Sequence, residues 1–278
     1  MYWILGLSAL VSAAAILIVL RPWQCTPPRI TVDVKPDAPA AFGYRTAWLA
    51  LRTRDTLAVI DQLGLEDLQR ANWNGGLAAA YDERLTEDYV FVSPPVAGWT
   101  FVVGLALPYP AGAKFADRCT PLLMALGRRF IEVQYYFTYP VIDFYAWARV
   151  IDGKLVRAFA WGDDGIMWNN GRVTKEERQI GLRLLEPCTA DGHISTNWKG
   201  VAAYPNEDHV VALASRWGMD PTRLDEIEAM PALGFIGRIP ASWRLQRLSG
   251  GEDARELPDP EPPSAPARRG KPDLRPVS

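Results

Sequence analysis

Two carboxylates, Glu132 and Asp143, fall on neighbouring predicted strands beside Tyr135, Tyr136 and Tyr145. Paired carboxylates next to an aromatic platform can cleave glycosidic bonds, and that chemistry leaves no linear motif. If the two side chains share a sheet face, they could work as acid and base. The competing reading is an exposed cross-strand polar set. His193 is the third catalytic candidate, in the string Asp191-Gly192-His193-Ile194-Ser195. A triad is defined by geometry and not by adjacency, so this string reads more readily as a polar loop. The only other histidine, His209, falls in the first turn of a predicted helix and is expected to be exposed.

Other chemistries find no footing. Glycine-rich phosphate loops, G-x-S-x-G elbows, H-E-x-x-H and kinase signatures are missing from the sequence. Cys25, Cys119 and Cys188 are widely spaced, with no C-x-x-C pair and no histidine at zinc spacing. They read as free thiols; Cys119 and Cys188 could pair only in an oxidising compartment. Gly162-Asp163-Asp164-Gly165 reads as a turn, because Ile166, Met167 and Trp168 give a cation no side-chain oxygen. No metal or cofactor site is therefore expected. A net charge of −2 gives no reason to expect a nucleic-acid partner.

Val211 to Ile227 places Ala214, Gly218, Leu224 and Ile227 where a helix-turn-helix needs small, turn and core residues. Its would-be recognition helix begins Asp220-Pro221 and carries Asp225, Glu226 and Glu228, so it would repel phosphate. An ordinary packed helix pair is the better reading. The aromatics offer another kind of site. An exposed face including Trp99, Tyr135, Tyr136, Trp161 or Trp168 could anchor a protein partner, although each could equally fill the core.

The elements that must hold these residues form an α+β domain. Predicted strands cover 44–52, 89–93 and 99–107, with a hairpin loop at Pro94–Gly98. Strands at 131–138, 142–151, 155–161 and 166–168 are joined by turns too short for parallel crossovers, which implies an antiparallel meander. Asp55 caps a helix closed by Gly64, and 65–71 reads as a second helical piece before a Trp73-Asn-Gly-Gly turn. Helix is also predicted from Lys114 to Arg129, kinked or split at Pro121. Thr174 and Glu177 form a capping box, Asn206 caps a helix ending at Gly218, and Asp220 caps another. Residues 30–34 alternate like a short strand, 36–43 reads as linker, and 236–248 closes the domain as a strand.

The first twenty residues carry no charged side chain. As a helix they would span about 30 Å, enough for the hydrocarbon core. Tyr2, Trp3 and Trp23 flank the run as interfacial aromatics would, and no Lys or Arg precedes it as in a signal peptide. The expected organisation is a transmembrane anchor at 1–20, a juxtamembrane linker at 21–43, a globular domain at 44–249 and a Pro-rich disordered tail at 250–278. Arg21, Arg29 and Lys35 favour a cytoplasmic domain at the inner membrane, with a periplasmic domain as the alternative.

Three stretches carry a resemblance. They are Val90-Phe-Val-Ser-Pro-Pro-Val-Ala-Gly-Trp-Thr-Phe-Val-Val-Gly104, Tyr145-Ala-Trp-Ala-Arg149 with Asp152-Gly-Lys-Leu-Val-Arg-Ala158, and Trp217-Gly-Met-Asp-Pro221. Together they resemble a loosely defined group of bacterial hypothetical proteins, some of them similar to immunity or accessory proteins of toxin and secretion loci. The resemblance covers most of 44–230, and its motifs are structural. It implies a membrane-tethered, non-enzymatic protein-binding module and carries over no catalytic residue. The alternative expectation is a cell-envelope enzyme using paired carboxylates on a glycan or lipid-linked substrate.

Overall fold

The computed structural model describes residues 30, 32–112, 114–162, 165–182 and 204–244. Among these residues nine strands form one sheet: β1 Ala47–Leu51, β2 Glu66–Ala71, β3 Tyr89–Val92, β4 Thr100–Val103, β5 Glu132–Tyr139, β6 Phe144–Ile151, β7 Lys154–Gly162, β8 Gly165–Asn170 and β9 Gly234–Arg238. Their spatial order is β2-β9-β3-β4-β1-β5-β6-β7-β8, and every pairing is antiparallel. The expected meander is β5 to β8. Its Asp152-Gly153 turn holds both residues at positive φ, 47° and 74°, which suits a two-residue hairpin.

Helices cover both faces. On one face lie α2 Trp73–Tyr81 and α5 Glu207–Trp217, whose Trp73, Leu77, Val210, Leu213 and Trp217 pack on Trp48, Phe91, Phe101, Tyr136 and Trp147. On the other lie α1 Thr56–Leu63 and α3 Cys119–Gly127, whose Val59, Ile60, Leu63, Leu123 and Leu126 pack on Leu49, Val90, Val102, Val133 and Tyr135. A short helix, α4 Lys175–Gln179, completes the layers. Because both faces are covered, the central strands are buried along their whole length, as in β1 and β3. An antiparallel sheet with one wet face would instead alternate apolar and polar residues.

The chain departs from expectation in several places. Residues 66–71 form an edge strand on β9 and not a helix. Glu, Leu, Gln and Arg are good helix formers, but pairing overrides their propensity. Trp73-Asn-Gly-Gly begins α2 and is not a free turn. Asn72 accepts from the Gly75 N–H, and Asp37 accepts from the Trp73 and Asn74 N–H groups at 2.6 and 3.0 Å. That carboxylate satisfies orphan donors and complements the helix dipole. The segment 36–43 is not a free linker either, since Phe42 is buried edge-on against Trp48 and Phe101. Finally, α3 is shorter than 114–129, and Pro121 sits within its first turn, where it breaks no internal bond. Residue 30 and residues 32–34 are in no strand, the last strand among the described residues is β9, and Pro221–Glu226 is a 3-10 helix rather than the second member of an α-helical pair. No described helix is long and apolar enough to cross a membrane. The anchor at 1–20 and the tail at 250–278 lie outside the described residues.

Gly76 shows why α2 tolerates poor helix formers. A Cβ there would stand 2.1 to 2.6 Å from the Phe91 ring, so only glycine lets the helix approach β3. Gly76→Ala is expected to destabilise the fold by about 1–3 kcal/mol through overpacking. Ala78→Gly on the exposed side of the same helix should cost about 0.5–1 kcal/mol. Urea unfolding of the two variants checks the order.

Candidate functional site

The strand period places one cross-strand row of aromatics under α5. Trp48 pairs with Tyr136, Tyr136 with Trp147, and Trp147 with Phe159. Trp48 stacks on Tyr136 with ring centres 4.9 Å apart, and Trp147 on Phe159 at 4.8 Å. The next row on this face is Ala50, Gln134, Arg149 and Arg157. Two arginines thus point into a layer that a helix covers, and each needs an anion.

Glu177 supplies the first. Arg157 Nε donates to its Oε1 and Oε2 at 2.7 and 3.0 Å, and both side chains are closed off from water. Trp147 Nε1 donates to the same carboxylate at 2.8 Å, and the Thr174 N–H at 2.6 Å. The capping box therefore doubles as the counter-ion site. Arg157 Nη1 donates to Asn169 Oδ1 and to the carbonyls of Ala158, Asn170 and Gly171, tying the end of β8 to β7.

Glu132 supplies the second. Its Oε1 accepts from Arg149 Nε and Gln134 Nε2, each at 2.8 Å, and Arg52 lies 3.7 Å from Oε2. Gln134 Nε2 also donates to the Trp217 carbonyl, and its Oε1 accepts from the Tyr136 hydroxyl. Arg149 stands over the Trp217 ring and Arg52 over the Trp99 ring. Gly218 follows α5 here because a Cβ would meet Trp99 at 2.8 Å. With its oxygens so occupied, Glu132 is built as a fixed acceptor for the sheet and the end of α5.

Glu132 and Asp143 are not brought together. Glu132 opens β5, opposite Ile151 at the end of β6, whereas Asp143 precedes β6 beside Tyr139. They occupy opposite ends of the hairpin, so no acid–base pair forms. His193 lies outside the described residues, as do Cys25 and Cys188. Cys119 is a free, buried thiol whose pKa burial pushes well above its ordinary value. The aromatic face is not assembled either. Trp99, Tyr135 and Tyr136 are buried, and Tyr135 and Tyr136 point to opposite faces. Burial raises both tyrosine pKa values well above normal. Trp161 and Trp168 are half-buried and also belong to opposite faces. Only Trp161, edge-on to exposed Tyr204 at 5.2 Å, borders solvent with another aromatic.

Sequence reasoning missed the surface around that Tyr204. At the end of the sheet where β5 turns into β6, Val141 is 69% and Ile142 52% exposed on a 3-10 turn that Asp143 closes in the left-handed region. Exposed Tyr44 donates to Asp208 at 3.3 Å, and the Arg45 N–H to Glu207 at 3.2 Å. Partial burial and then Asp208, Glu207 and Asp220 raise the Tyr44 pKa; burial and then Asp143 raise that of Tyr145. The carboxylates that add to both shifts stand around an apolar, tyrosine-lined end. The signal in the sequence was the Pro-Val-Ile-Asp turn, whose aliphatics no partner strand could cover. A separate cavity of about 130 Å³ lies between Pro110, Phe115, Thr120, Met167 and Trp168, with Asp117 as its one carboxylate. Among the described residues no group of His, Cys, Asp and Glu could hold a metal ion. The chain matches no family model, no curated protein and no solved structure.

Removing one member of the enclosed pair should be severe. Arg157→Met is expected to cost about 3–5 kcal/mol by leaving Glu177 buried and unpaired. Arg157→Met combined with Glu177→Leu should recover part of that loss. Denaturant unfolding of single and double variants measures the coupling. His209 gives a pH test. Partial burial lowers its pKa below 6.5, against a smaller opposing pull from Asp208. The unfolded chain therefore binds the proton more tightly. Stability from neutral His209 is complete above the ordinary value and is lost as pH falls through the lower, folded value. His209→Asn should flatten this part of a stability–pH curve.

Proposed function

We propose that this chain is a membrane-tethered, non-enzymatic module that binds another protein through the acidic, tyrosine-lined end of its sheet. The observation that carries the reading is the coincidence of exposed Val141 and Ile142 with Tyr44, Tyr204, Asp143, Glu207 and Asp208 at one end. Aliphatic and tyrosine anchors inside a charged rim are the usual make-up of a protein-binding surface. The partner face would be basic around an apolar centre. The tether is the uncharged run at 1–20, and Arg21, Arg29 and Lys35 favour an inner-membrane chain with its domain on the cytoplasmic side. An immunity-like or accessory role beside a toxin or secretion system fits a module of this kind and the resemblance carried by 90–104, 145–158 and 217–221. The Glu132–Asp143 pair lends the enzyme alternative no support, because Glu132 is occupied by arginine and Asp143 is at the far end of the hairpin.

A photo-crosslinking residue at Ile142 of the full chain should trap one partner in stoichiometric yield from native membranes, and the same residue at Lys154 should not. Tyr44→Ala with Val141→Ser, in the chain that carries the crosslinker at Ile142, should lower that yield at least about tenfold, the effect of losing roughly 1.4 kcal/mol. Equal trapping from both positions, or none from either, removes the reading.

A further inference from the structure

The opposite end of the sheet has the opposite character. Leu51 pairs with Val133, and Val133 with Val150, so the chain just beyond β1, before β5 and between β6 and β7 meets at one end. That end carries Arg52, Arg54, Arg128, Arg129, Arg149 and Lys154. Glu132 occupies Arg149 and part of Arg52; Asp55 caps α1 through the Ala58 N–H. Arg54, Arg128, Arg129 and Lys154 remain as exposed surplus cations, with Asp152 the one other acid in these turns. Among them stand two aliphatic side chains that the fold leaves in water, Leu57 at 62% and Ile131 at 61% exposure. Leu57 opens α1 and Ile131 follows α3, the two helices that share one face.

The same end receives the N-terminal segment. Asp37 caps α2 and the Asp33 carbonyl accepts from Asn72, beside Ala71 at the end of β2. Through β9, β3 and β4 the register aligns Ala71 with Gly234, Phe235 with Val92, and Val102 and Thr100 with the end of β1. The chain therefore enters the fold on the basic side of the sheet.

We propose that this basic end docks on an anionic lipid surface, with Leu57 and Ile131 at headgroup level and Arg54, Arg128, Arg129 and Lys154 against lipid phosphates. Aliphatic tips ringed by cations are the pattern by which a surface combines burial with attraction to anionic lipid. The eight-residue β5 then holds the acidic end about 27 Å away, pointing off the membrane. This rests on the tethered reading for its geometry, but it has its own readout.

The full chain is reconstituted in nanodiscs of phosphatidylcholine, with or without one third phosphatidylglycerol, and hydrogen exchange is followed by mass spectrometry. Residues 52–57 and 128–131 should exchange at least about fivefold more slowly in the anionic discs, and about 0.5 M salt should abolish the difference. The R54E/R128E/R129E variant should lose this protection while β5 and β6 keep theirs, which shows that it is folded. Leu57→Ser with Ile131→Ser should weaken it. Identical exchange in both discs, or protection that survives the charge reversal, overturns the proposal. So does equal protection by heparin in phosphatidylcholine discs, which would assign the cations to a soluble polyanion. If the chain enters neither disc, the tether fails by itself. Exchange of the soluble chain with anionic vesicles then decides the docking: slowing at 52–57 and 128–131 supports it, and unchanged exchange overturns it.

Discussion

Arg157 and Glu177 neutralise each other where no water reaches, and the β7–β8 side of the sheet is arranged around that fact. An ion pair so enclosed stabilises only when its remaining donors and acceptors are also met. Here the carboxylate receives Trp147 and the start of α4, and Nη1 of the guanidinium reaches the carbonyls of Ala158 in β7 and of Asn170 and Gly171 at the end of β8, which leaves Nη2 as a buried donor without a partner among the described residues. The pair fixes the position of α4 and the end of β8 together. A hydrophobic pair of similar volume could fill the space, but it would not specify which carbonyls meet which strand.

Much of the frame was legible because turn chemistry and caps are local. Asp152-Gly153, the Thr174–Glu177 box, Asn206 and Asp220 each act within a few residues, and each stands where the sequence placed it. What failed was decided by distant partners. Glu66–Ala71 becomes a strand only because β9, far along the chain, lies beside it. Asp37 and Phe42 join the body because α2 and Trp48 give them a cap site and an aromatic wall. Glu132 and Asp143 lie apart for a simpler reason. Alternation tells which face a residue occupies, but in a hairpin the entrances of successive strands are at opposite ends. That alone separates Glu132 from Asp143. The aromatics misled because both sheet faces are covered, so Tyr135 and Tyr136 are buried in different layers.

Charge follows the same axis as the strands. The acids around Tyr44 and Tyr145 gather at one end, and the arginines beside Glu132 at the other. A near-neutral total conceals this, since the sum of charges has no direction. Composition alone argues about solubility and gross attraction; only the register turns it into a molecule with two different ends.

The outer strand β2 has one more consequence. Its side chains from Glu66 to Arg70 are exposed, Asp67 sits at positive φ, and the register slips between Glu66 and Gln69. Arg238 reaches across to both Glu66 and Asp67. A bent, charged margin of this kind is a poor template for a further strand. Copies of the chain crowded side by side would therefore meet at β2 without zipping their sheets into one, and the strand that looks least like a strand in the sequence is the one that keeps the sheet finite on that side.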